Sequence, residues 1–299
     1  MIRKPTAADF ALILVMVSIW SSAFVAIKVA VVEVGPFWLV VARVGFGFLA
    51  LLPWTLWRGI VLPASRQEWL YVVLVALLSA VVPFLLISWA QLTISAGLTA
   101  LLMGTGPFLG LLLSHVTTTD DRLNVPKLVA VLLGFTGVAL VVGPEARAGF
   151  EGGLAAPAAV ICACACYAVA GTLVRRIDSV PPTRLTSLVL GIALVVLAPV
   201  VAWRHAELPA MPDGTALLSM VWLGVGPTGL AYLMRYHLIR AIGYSYVALG
   251  LNLLPACGVA MGALLLGEPV SLTVLAALLL VLAGLAVARI GAGRAAVDL

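Results

Sequence analysis

Ten stretches of about 20 apolar residues follow one another along this chain, each divided from the next by a short polar or turn-forming segment. Lipid offers the backbone no hydrogen-bond partners, so a stretch of this kind must be a helix or a strand of a closed barrel. The short alternating segments that are typical of a barrel are missing from the sequence. The sequence therefore predicts an all-α polytopic membrane protein with ten transmembrane helices. We number these spans 1 to 10; they cover approximately 9–30, 36–57, 69–91, 96–116, 126–143, 153–174, 185–203, 215–238, 243–266 and 270–290.

The distribution of basic residues predicts the orientation of these spans, because cytoplasmic loops retain Lys and Arg. With the N-terminus inside, the inner segments carry Arg3, Lys4, Arg58, Arg66, Arg122, Lys127, Arg175, Arg176, Arg184, Arg240, Arg289 and Arg294, and the outer segments carry Lys28, Arg147 and Arg204. Both termini are therefore expected in the cytoplasm. This bias and anionic lipid also account for the net charge of +5, so we expect no nucleic-acid partner.

The two halves of the chain resemble each other. A shift of 147 residues places Trp20 on Tyr167, Lys28 on Arg175, Ala96 on Gly243 and Gly137 on Gly284, and a shift of 148 places Pro107 on Pro255. Residues 1–147 and 148–299 then hold five spans each. Because five is odd, the second copy enters the membrane upside down, which makes an inverted repeat. Such symmetry favours transport by alternating access, with the substrate site near the midplane.

Three short motifs carry a resemblance to a known family: Trp-Ser-Ser-Ala-Phe at 20–24, Ala-Arg at 42–43 and Leu-Gly-Glu at 266–268. In this order and spacing they resemble the EamA family of the drug/metabolite transporter superfamily, and within it the bacterial exporters of aromatic amino acids. The resemblance covers almost the whole chain. It implies a bacterial inner-membrane transporter that exports amino acids or related small metabolites. The first half lacks a second Leu-Gly-Glu, which favours a helix-capping or loop-packing role for Glu268.

The resemblance also implies a central cavity lined by spans 1, 3, 4, 6, 8 and 9. Aromatic faces there would supply apolar contact while hydroxyl and amide groups orient the ligand. The candidate cavity residues are Trp20, Ser21, Phe24, Ser88, Trp89, Thr99, Met103, Tyr167, Tyr232, Tyr236 and Asn252, with Gln91 and Thr105 beside them. Serines and threonines in membrane helices also bond their own backbone, and Trp and Tyr near span ends also form the interfacial belt. Both interpretations stay open for these residues.

Arg43 lies within span 2, where a basic side chain either contacts a substrate carboxylate or snorkels towards the outer surface. Pro107 and Pro255 are expected to kink spans 4 and 9, because proline removes one helical hydrogen bond and clashes with the preceding turn. With Gly110 and Gly258 they are candidate hinge or gating residues. A static kink that only shapes the bundle is the alternative.

The acidic residues indicate the mode of transport. All 12 Asp and Glu residues fall at span ends or in loops, and only His237 comes near a proton relay within the spans. We therefore expect a facilitator or exchanger that binds a small molecule, lies in lipid and can act as a monomer. A transporter of phosphorylated metabolites and a passive channel are the alternatives. No paired acids, metal-ligand cluster or nucleotide-binding loop is present, so neither enzymatic activity, a metal nor a cofactor is expected. The four cysteines lie within spans and are expected to be packing residues.

Overall fold

The computed structural model describes residues 4–117, 123–147, 154–204 and 207–295, and every regular element within these ranges is a helix. The α-helices are α1 (Ala7–Arg58), α2 (Arg66–Ala76), α3 (Val82–Ala90), α4 (Ala96–Met103), α5 (Gly106–Thr117), α6 (Val125–Arg147), α7 (Ala155–Val174), α8 (Pro182–Trp203), α9 (Gly214–Leu223), α10 (Ala231–Ile242), α11 (Tyr244–Leu251), α12 (Leu254–Leu266) and α13 (Leu272–Ala295). Two π-helical segments, Leu77–Val81 and Gly224–Leu230, join α2 to α3 and α9 to α10. The all-α membrane class predicted from the sequence is confirmed.

Within the described ranges, eight helical stretches are long and apolar enough to cross a membrane, with α2 and α3, α4 and α5, and α9 and α10 each counted as one stretch. One of them, α1, has 52 residues and would extend about 78 Å if it were straight, far beyond a hydrocarbon core of about 30 Å. It turns at Gly35, whose φ of 72° and ψ of 163° are not helical, and Pro36 follows. Spans 1 and 2 therefore meet at Gly35, which lies between the predicted bounds of the two spans. Span 9 is divided between α11 and α12, each too short to cross alone. The total of ten crossings stays a prediction.

Four spans are interrupted near their middles, and the interruptions follow the sequence repeat. The π-helical segment in span 3 begins at Leu77 and that in span 8 at Gly224, which is a shift of 147 residues. Span 4 breaks at 104–105 and span 9 at 252–253, which is a shift of 148. The same kind of irregularity therefore occurs at equivalent places in both halves.

Proline explains the position of the breaks in spans 4 and 9. Pro107 and Pro255 each occupy the second position of the helix that follows the break, in α5 and α12. A proline in the first turn of a helix costs nothing, since the N–H that it lacks would have no intrahelical acceptor there. The π-helical segment of span 8 contains Pro227, whereas that of span 3 contains no proline.

Contacts between the ends of the helices bring the halves together. At one end, the Glu68 carboxylate accepts hydrogen bonds from the backbone of Ala64, Asp178 and Ser179. At the other end, Trp38 Nε1 donates to the Glu207 carbonyl at 3.0 Å. The 2–3 loop thus lies beside the 6–7 loop, and the 1–2 loop beside the 7–8 loop. Each pairing joins two loops that the predicted ten crossings would place on the same side.

Spans 5 and 10 pack closely through a pair of glycines that the repeat places in register. A Cβ atom on Gly137 would lie 2.8 Å from the Ala277 carbonyl oxygen, and one on Gly284 would lie 2.8 Å from that of Ala130. Small residues at such crossings let two membrane helices approach backbone to backbone. The glycine pair noticed in the sequence therefore marks a helix–helix contact.

Candidate functional site

The Trp-Ser-Ser sequence in α1 forms hydrogen bonds from span 1 to residues in or beside the irregular parts of spans 8 and 9. Trp20 Nε1 donates to the Pro227 carbonyl oxygen at 2.9 Å, within the π-helical segment of span 8. Ser21 Oγ donates to the Leu254 carbonyl oxygen at 3.3 Å, beside the break in span 9. Irregular helical backbone at membrane depth must find such side-chain donors, because lipid supplies none. Both polar residues of this apolar span therefore bond backbone carbonyls of the other half.

Arg43 lies between the two π-helical segments. Its side chain is only 9% exposed, and its Nε donates to Thr228 Oγ1 at 3.1 Å. Its guanidinium carbon lies 3.6 Å from the centre of the Phe84 ring, which favours a cation–π interaction. Thr228 belongs to the segment Gly224–Leu230, and Phe84 follows the segment Leu77–Val81. One arginine therefore contacts the irregular segment of the second half and a residue just after that of the first, and it does not snorkel to the surface.

Two tyrosines complete the surroundings of this arginine. The Tyr232 ring packs edge-on against Trp20 with 5.8 Å between ring centres, and Tyr167 packs against the buried cluster that contains Phe84. We call Trp20, Arg43, Phe84, Tyr167, Thr228 and Tyr232 the central cluster. It combines four aromatic rings, from spans 1, 3, 6 and 8, with hydroxyl groups and one positive charge. Placing an arginine at the centre of a membrane helix costs about 2.5–3.5 kcal/mol on insertion scales, so its position is expected to serve a function.

The other candidate cavity residues divide into three groups. Phe24 and Ser88 are buried, and Asn252 is half-buried at the break in span 9. Thr99 and Thr105 bond carbonyls of their own helical turn, those of Ser95 and Leu102, which agrees with the backbone-bonding alternative. Met103 contacts Cys164, with 3.5 Å between the sulfur atoms.

Two aromatic candidates are not brought into the central cluster. Trp89 is 45% exposed at the end of α3, and no hydrogen bond or ring contact among the described residues joins it to the central cluster. The side chain of Tyr236 lies outside the described part of the structure. Both remain predictions from the sequence.

The residues singled out as hinges differ in their surroundings. A Cβ atom on Gly258 would lie 2.2 Å from the Ala100 Cβ and 3.5 Å from the Phe24 ring, whereas one on Gly110 would have no atom within 4 Å. Gly258 is therefore required for the crossing of spans 4 and 9, and Gly110 faces open space. Gating by these residues remains a prediction.

Comparison with known proteins places this architecture in a family. The model of the EamA-like transporter family matches the chain twice, over residues 8–143 and 155–290. The chain belongs to the EamA-like transporter family. The two matches coincide with the two halves found in the sequence, and the resemblance inferred from the short motifs is confirmed at the level of the family.

Relatives and a solved structure are similar over nearly the whole chain. An uncharacterized transporter of Archaeoglobus fulgidus is 25% identical over 272 residues, which are 90% of this chain and 94% of the relative. The uncharacterized transporter YdfC of Bacillus subtilis is 23% identical over 268 residues, 89% of this chain and 86% of the relative. A solved structure, titled only "Crystal structure of protein", superposes with a TM-score of 0.65 at 21% identity, covering 95% of this chain and 99% of the other. This last likeness concerns the fold alone.

At one end of this EamA-like transporter, two charged side chains hold the turn between α3 and α4. Lys28 Nζ donates to the carbonyl oxygens of Gln91 and Ile94 at 2.7 and 2.9 Å. Glu268 accepts from the backbone N–H groups of Ala96 and Gly97 at 2.6 and 2.8 Å. A cation thus caps the end of one helix and an anion the start of the next, as the helix dipoles favour. The helix-capping role expected for Glu268 is confirmed.

Sequence reasoning missed two residues of this region and did not foresee the burial of a third. Phe84 and Thr228 had no signal beyond their nearness to Pro83 and Pro227, and their role depends on contact with Arg43 from another span. Gln91 is 0% exposed, and its side-chain oxygen and nitrogen have no partner among the described residues. Its burial could not be inferred from a position at the end of a span.

Two cavities lie elsewhere in the transporter. One, of about 390 Å³, opens beside α1 and is lined by Ser22 and Trp222. The other, of about 300 Å³, lies between Trp38 and the segment 208–212. Neither is lined by a residue of the central cluster. The described residues contain no group of His, Cys, Asp and Glu that could hold a metal ion.

Proposed function

We propose that this EamA-like transporter exports amino acids, aromatic ones foremost, or related small metabolites by alternating access of its central cluster. The protein would lie in a bacterial inner membrane with both termini in the cytoplasm and work as a monomer. It would bind its substrate without changing it chemically.

One observation carries this proposal: helix interruptions occur at equivalent places in spans 3, 4, 8 and 9, and residues from both halves meet beside them. Discontinuous helices near the midplane are where transporters with inverted repeats bind their substrates. The central cluster lies among these interruptions, because Phe84 and Thr228 both contact Arg43. The inverted arrangement of the halves is itself part of the proposal.

The chemistry of the central cluster favours a small amphipathic ligand. The rings of Trp20, Tyr167 and Tyr232 suit an apolar body, and the Arg43 guanidinium suits a carboxylate. A phosphorylated metabolite would require several cationic groups, and Arg43 is the one arginine or lysine that the described contacts place in this cluster. We therefore favour a carboxylate substrate over a phosphate.

The positions of the acidic residues support one mode of transport. Among the described residues, Glu33, Glu68 and Glu268 accept hydrogen bonds from backbone N–H groups near helix ends. A proton-driven pump ordinarily carries an ionisable acid within its bundle. We propose a facilitator or an exchanger, for which a passive channel is the alternative.

Counterflow into proteoliposomes tests the proposal. Vesicles loaded with an unlabelled amino acid should take up the labelled compound saturably, which a channel would not do. Trp20→Ala and Asn252→Ala should reduce this uptake at least tenfold. Trp57→Ala is the matched control, since Trp57 lies on the same helix but is 74% exposed. Uptake driven by a pH gradient without any substrate gradient would contradict the facilitator or exchanger mode.

A further inference from the structure

Two corners of the helix bundle, one at each end, occupy equivalent places in the repeat. A shift of 147 residues places Phe37 on Arg184 and Trp57 on Arg204. At one corner the end of span 7 meets the start of span 2, and the Arg204 guanidinium carbon lies 5.3 Å from the centre of the Phe37 ring. At the other corner the end of span 2 meets the start of span 7, and Arg184 Nη2 donates to the Arg58 carbonyl oxygen at 2.6 Å. The two corners can therefore be compared position by position.

The second corner is built from stacked aromatic and cationic groups. The Arg58 guanidinium carbon lies 4.9 Å from the centre of the Trp54 ring and 4.7 Å from that of Trp57. The two rings pack edge-on with 5.6 Å between their centres. Stacking uses the face of a guanidinium, whereas its N–H donors lie along the edge and can bind an acceptor at the same time. We call Trp54, Trp57, Arg58 and Arg184 the arginine corner.

The two corners differ in how their positive charge is balanced. Arg204 Nε donates to a carboxylate oxygen of Glu207 at 2.7 Å. The repeat places Ile60 on Glu207, so the arginine corner has an exposed isoleucine at the position where the opposite corner has its acid. Within the described ranges, neither Arg58 nor Arg184 forms an ion pair. The arginine corner therefore holds two cations without the counter-charge that its equivalent has.

The loops around the corners carry opposite charges. Segments 58–68 and 175–184, at the arginine corner, hold five arginines and two acids: Arg58, Arg66, Arg175, Arg176 and Arg184, with Glu68 and Asp178. Segments 31–37 and 203–213, at the opposite corner, hold one arginine, one histidine and three acids: Arg204, His205, Glu33, Glu207 and Asp213. The Glu68 carboxylate already accepts from the Ser179 hydroxyl and from backbone N–H groups. An anion from outside the protein is therefore needed to balance the arginine corner.

The surroundings of the arginine corner favour a lipid as the source of this anion. Trp57 and Leu56 are 74% and 61% exposed on α1, a helix of membrane-spanning length and composition. Indole rings favour the interface between membrane and water, and arginine binds phosphate through its planar fork. This end of the bundle is also the one predicted to face the cytoplasm, where the membrane leaflet is anionic. Groups suited to a phosphate and a surface suited to acyl chains thus lie side by side.

We propose that the arginine corner binds the headgroup phosphate of an anionic phospholipid, with phosphatidylglycerol as the representative. The phosphodiester supplies the counter-charge that Glu207 supplies at the opposite corner. Because Arg58 ends span 2 and Arg184 begins span 7, the bound lipid joins the two halves beside the loops that Glu68 already connects. The lipid is a structural partner of these helix ends and takes no part in substrate binding.

Quenching of tryptophan fluorescence by brominated lipids tests the inference. The full-length protein is held in micelles of a neutral detergent, and dibrominated phosphatidylglycerol is titrated in comparison with dibrominated phosphatidylcholine. Phosphatidylglycerol should quench at a lower mole fraction, and Trp57→Phe should remove most of this difference. The preference should weaken as salt is added, because salt screens charges that lie at the surface.

Two substitutions alter the charge of the arginine corner in different ways. Arg58→Gln removes one cation and should lower the preference for phosphatidylglycerol about fivefold, the size expected for one basic residue near an anionic surface. Ile60→Glu keeps both arginines, adds the acid of the opposite corner and should lower the preference by a similar factor. Arg204→Gln is the matched control, since Arg204 also stacks on an aromatic ring but is paired with Glu207. A monodisperse elution profile in detergent identifies the variants that remain folded.

Four results would overturn the inference. Equal quenching by the two lipids would show that the site has no preference for an anion. A preference that survives in folded Arg58→Gln and folded Ile60→Glu would show that the arginine corner does not cause it. An equal loss in Arg204→Gln would assign it to net charge, and displacement of the brominated lipid by inorganic phosphate would identify a site for soluble anions. None of these measurements involves transport, so the inference can fail while the proposed function stands, and the reverse.

Discussion

Gly258 has only a hydrogen atom in place of a side chain, and this permits spans 4 and 9 to cross closely. Its backbone lies so close to span 4 that a methyl group would meet the Ala100 Cβ at 2.2 Å, a distance that no pair of carbon side chains adopts. Gly110 matches Gly258 in the repeat, yet nothing lies within 4 Å of its own added Cβ. The two glycines are therefore equivalent in sequence and different in their packing.

We expect Gly258→Ala to destabilise the protein and Gly110→Ala not to do so. Forcing a methyl group into a tight contact costs about 1–3 kcal/mol, whereas alanine in an open helical position is neutral or favourable by about 0.5–1 kcal/mol. The midpoint of thermal unfolding in detergent measures the difference. Equal midpoints for the two variants would show that spans 4 and 9 do not cross at Gly258.

The sequence predicted some central residues for physical reasons that the structure bears out. Trp20 and Ser21 stood out because polar groups inside a lipid-embedded helix need partners, and both have them in the other half. Phe84 and Thr228 could not be found in the same way, since each matters only through Arg43, which approaches from a distant part of the chain. Long-range contacts of that kind leave no local pattern.

At the scale of helices, the turn between α3 and α4 is held by two residues from other spans. Lys28 and Glu268 together satisfy two carbonyl and two N–H groups that the helix ends would otherwise leave without partners. The turn is therefore fixed to span 1 and to the end of span 9 at once.

Glu268→Gln should loosen this turn. A glutamine has one side-chain oxygen to offer, so one of the N–H groups of Ala96 and Gly97 would lose its acceptor and face an amide NH₂ instead. Hydrogen bonds to charged groups contribute about 1.5–3 kcal/mol, and a loss of that size should lower the thermal unfolding midpoint. Glu33→Gln is the matched control at the same end, because Glu33 accepts from Asp213 through one oxygen only. A midpoint equal to that of the control would contradict the double cap.

The positions of helix ends were predictable where proline or glycine sets them. Gly35 and Pro36 separate spans 1 and 2 as expected, and the breaks in spans 4 and 9 fall just before Pro107 and Pro255. The π-helical segment Leu77–Val81 was not predictable, because it contains neither residue type. Its location emerges only when it is compared with Gly224–Leu230 in the other half.

At the scale of the molecule, the loop contacts predict which positions share a side of the membrane. Arg66 and Asp178 flank the contacts of Glu68, while Thr93 and Ser271 flank the turn held by Lys28 and Glu268. All four positions are exposed.

Single cysteines are placed at these four positions in a chain whose own cysteines are replaced. Their labelling by a membrane-impermeant maleimide should divide the four variants into two pairs. Intact cells should label Thr93→Cys and Ser271→Cys, and Arg66→Cys and Asp178→Cys should react only after the membrane is opened. Labelling of Arg66→Cys together with Thr93→Cys in intact cells would contradict the arrangement of the spans.

The π-helical segments have a consequence for motion. Each accommodates an additional residue within a helix, and a change of the segment to regular α-helix would turn everything beyond it by about 100° around the axis, the angle per residue of an α-helix. The far portion of span 8 could thereby carry Tyr232 away from Trp20 by rotating in place. A helix built in this way redirects its side chains without having to tilt through the surrounding lipid.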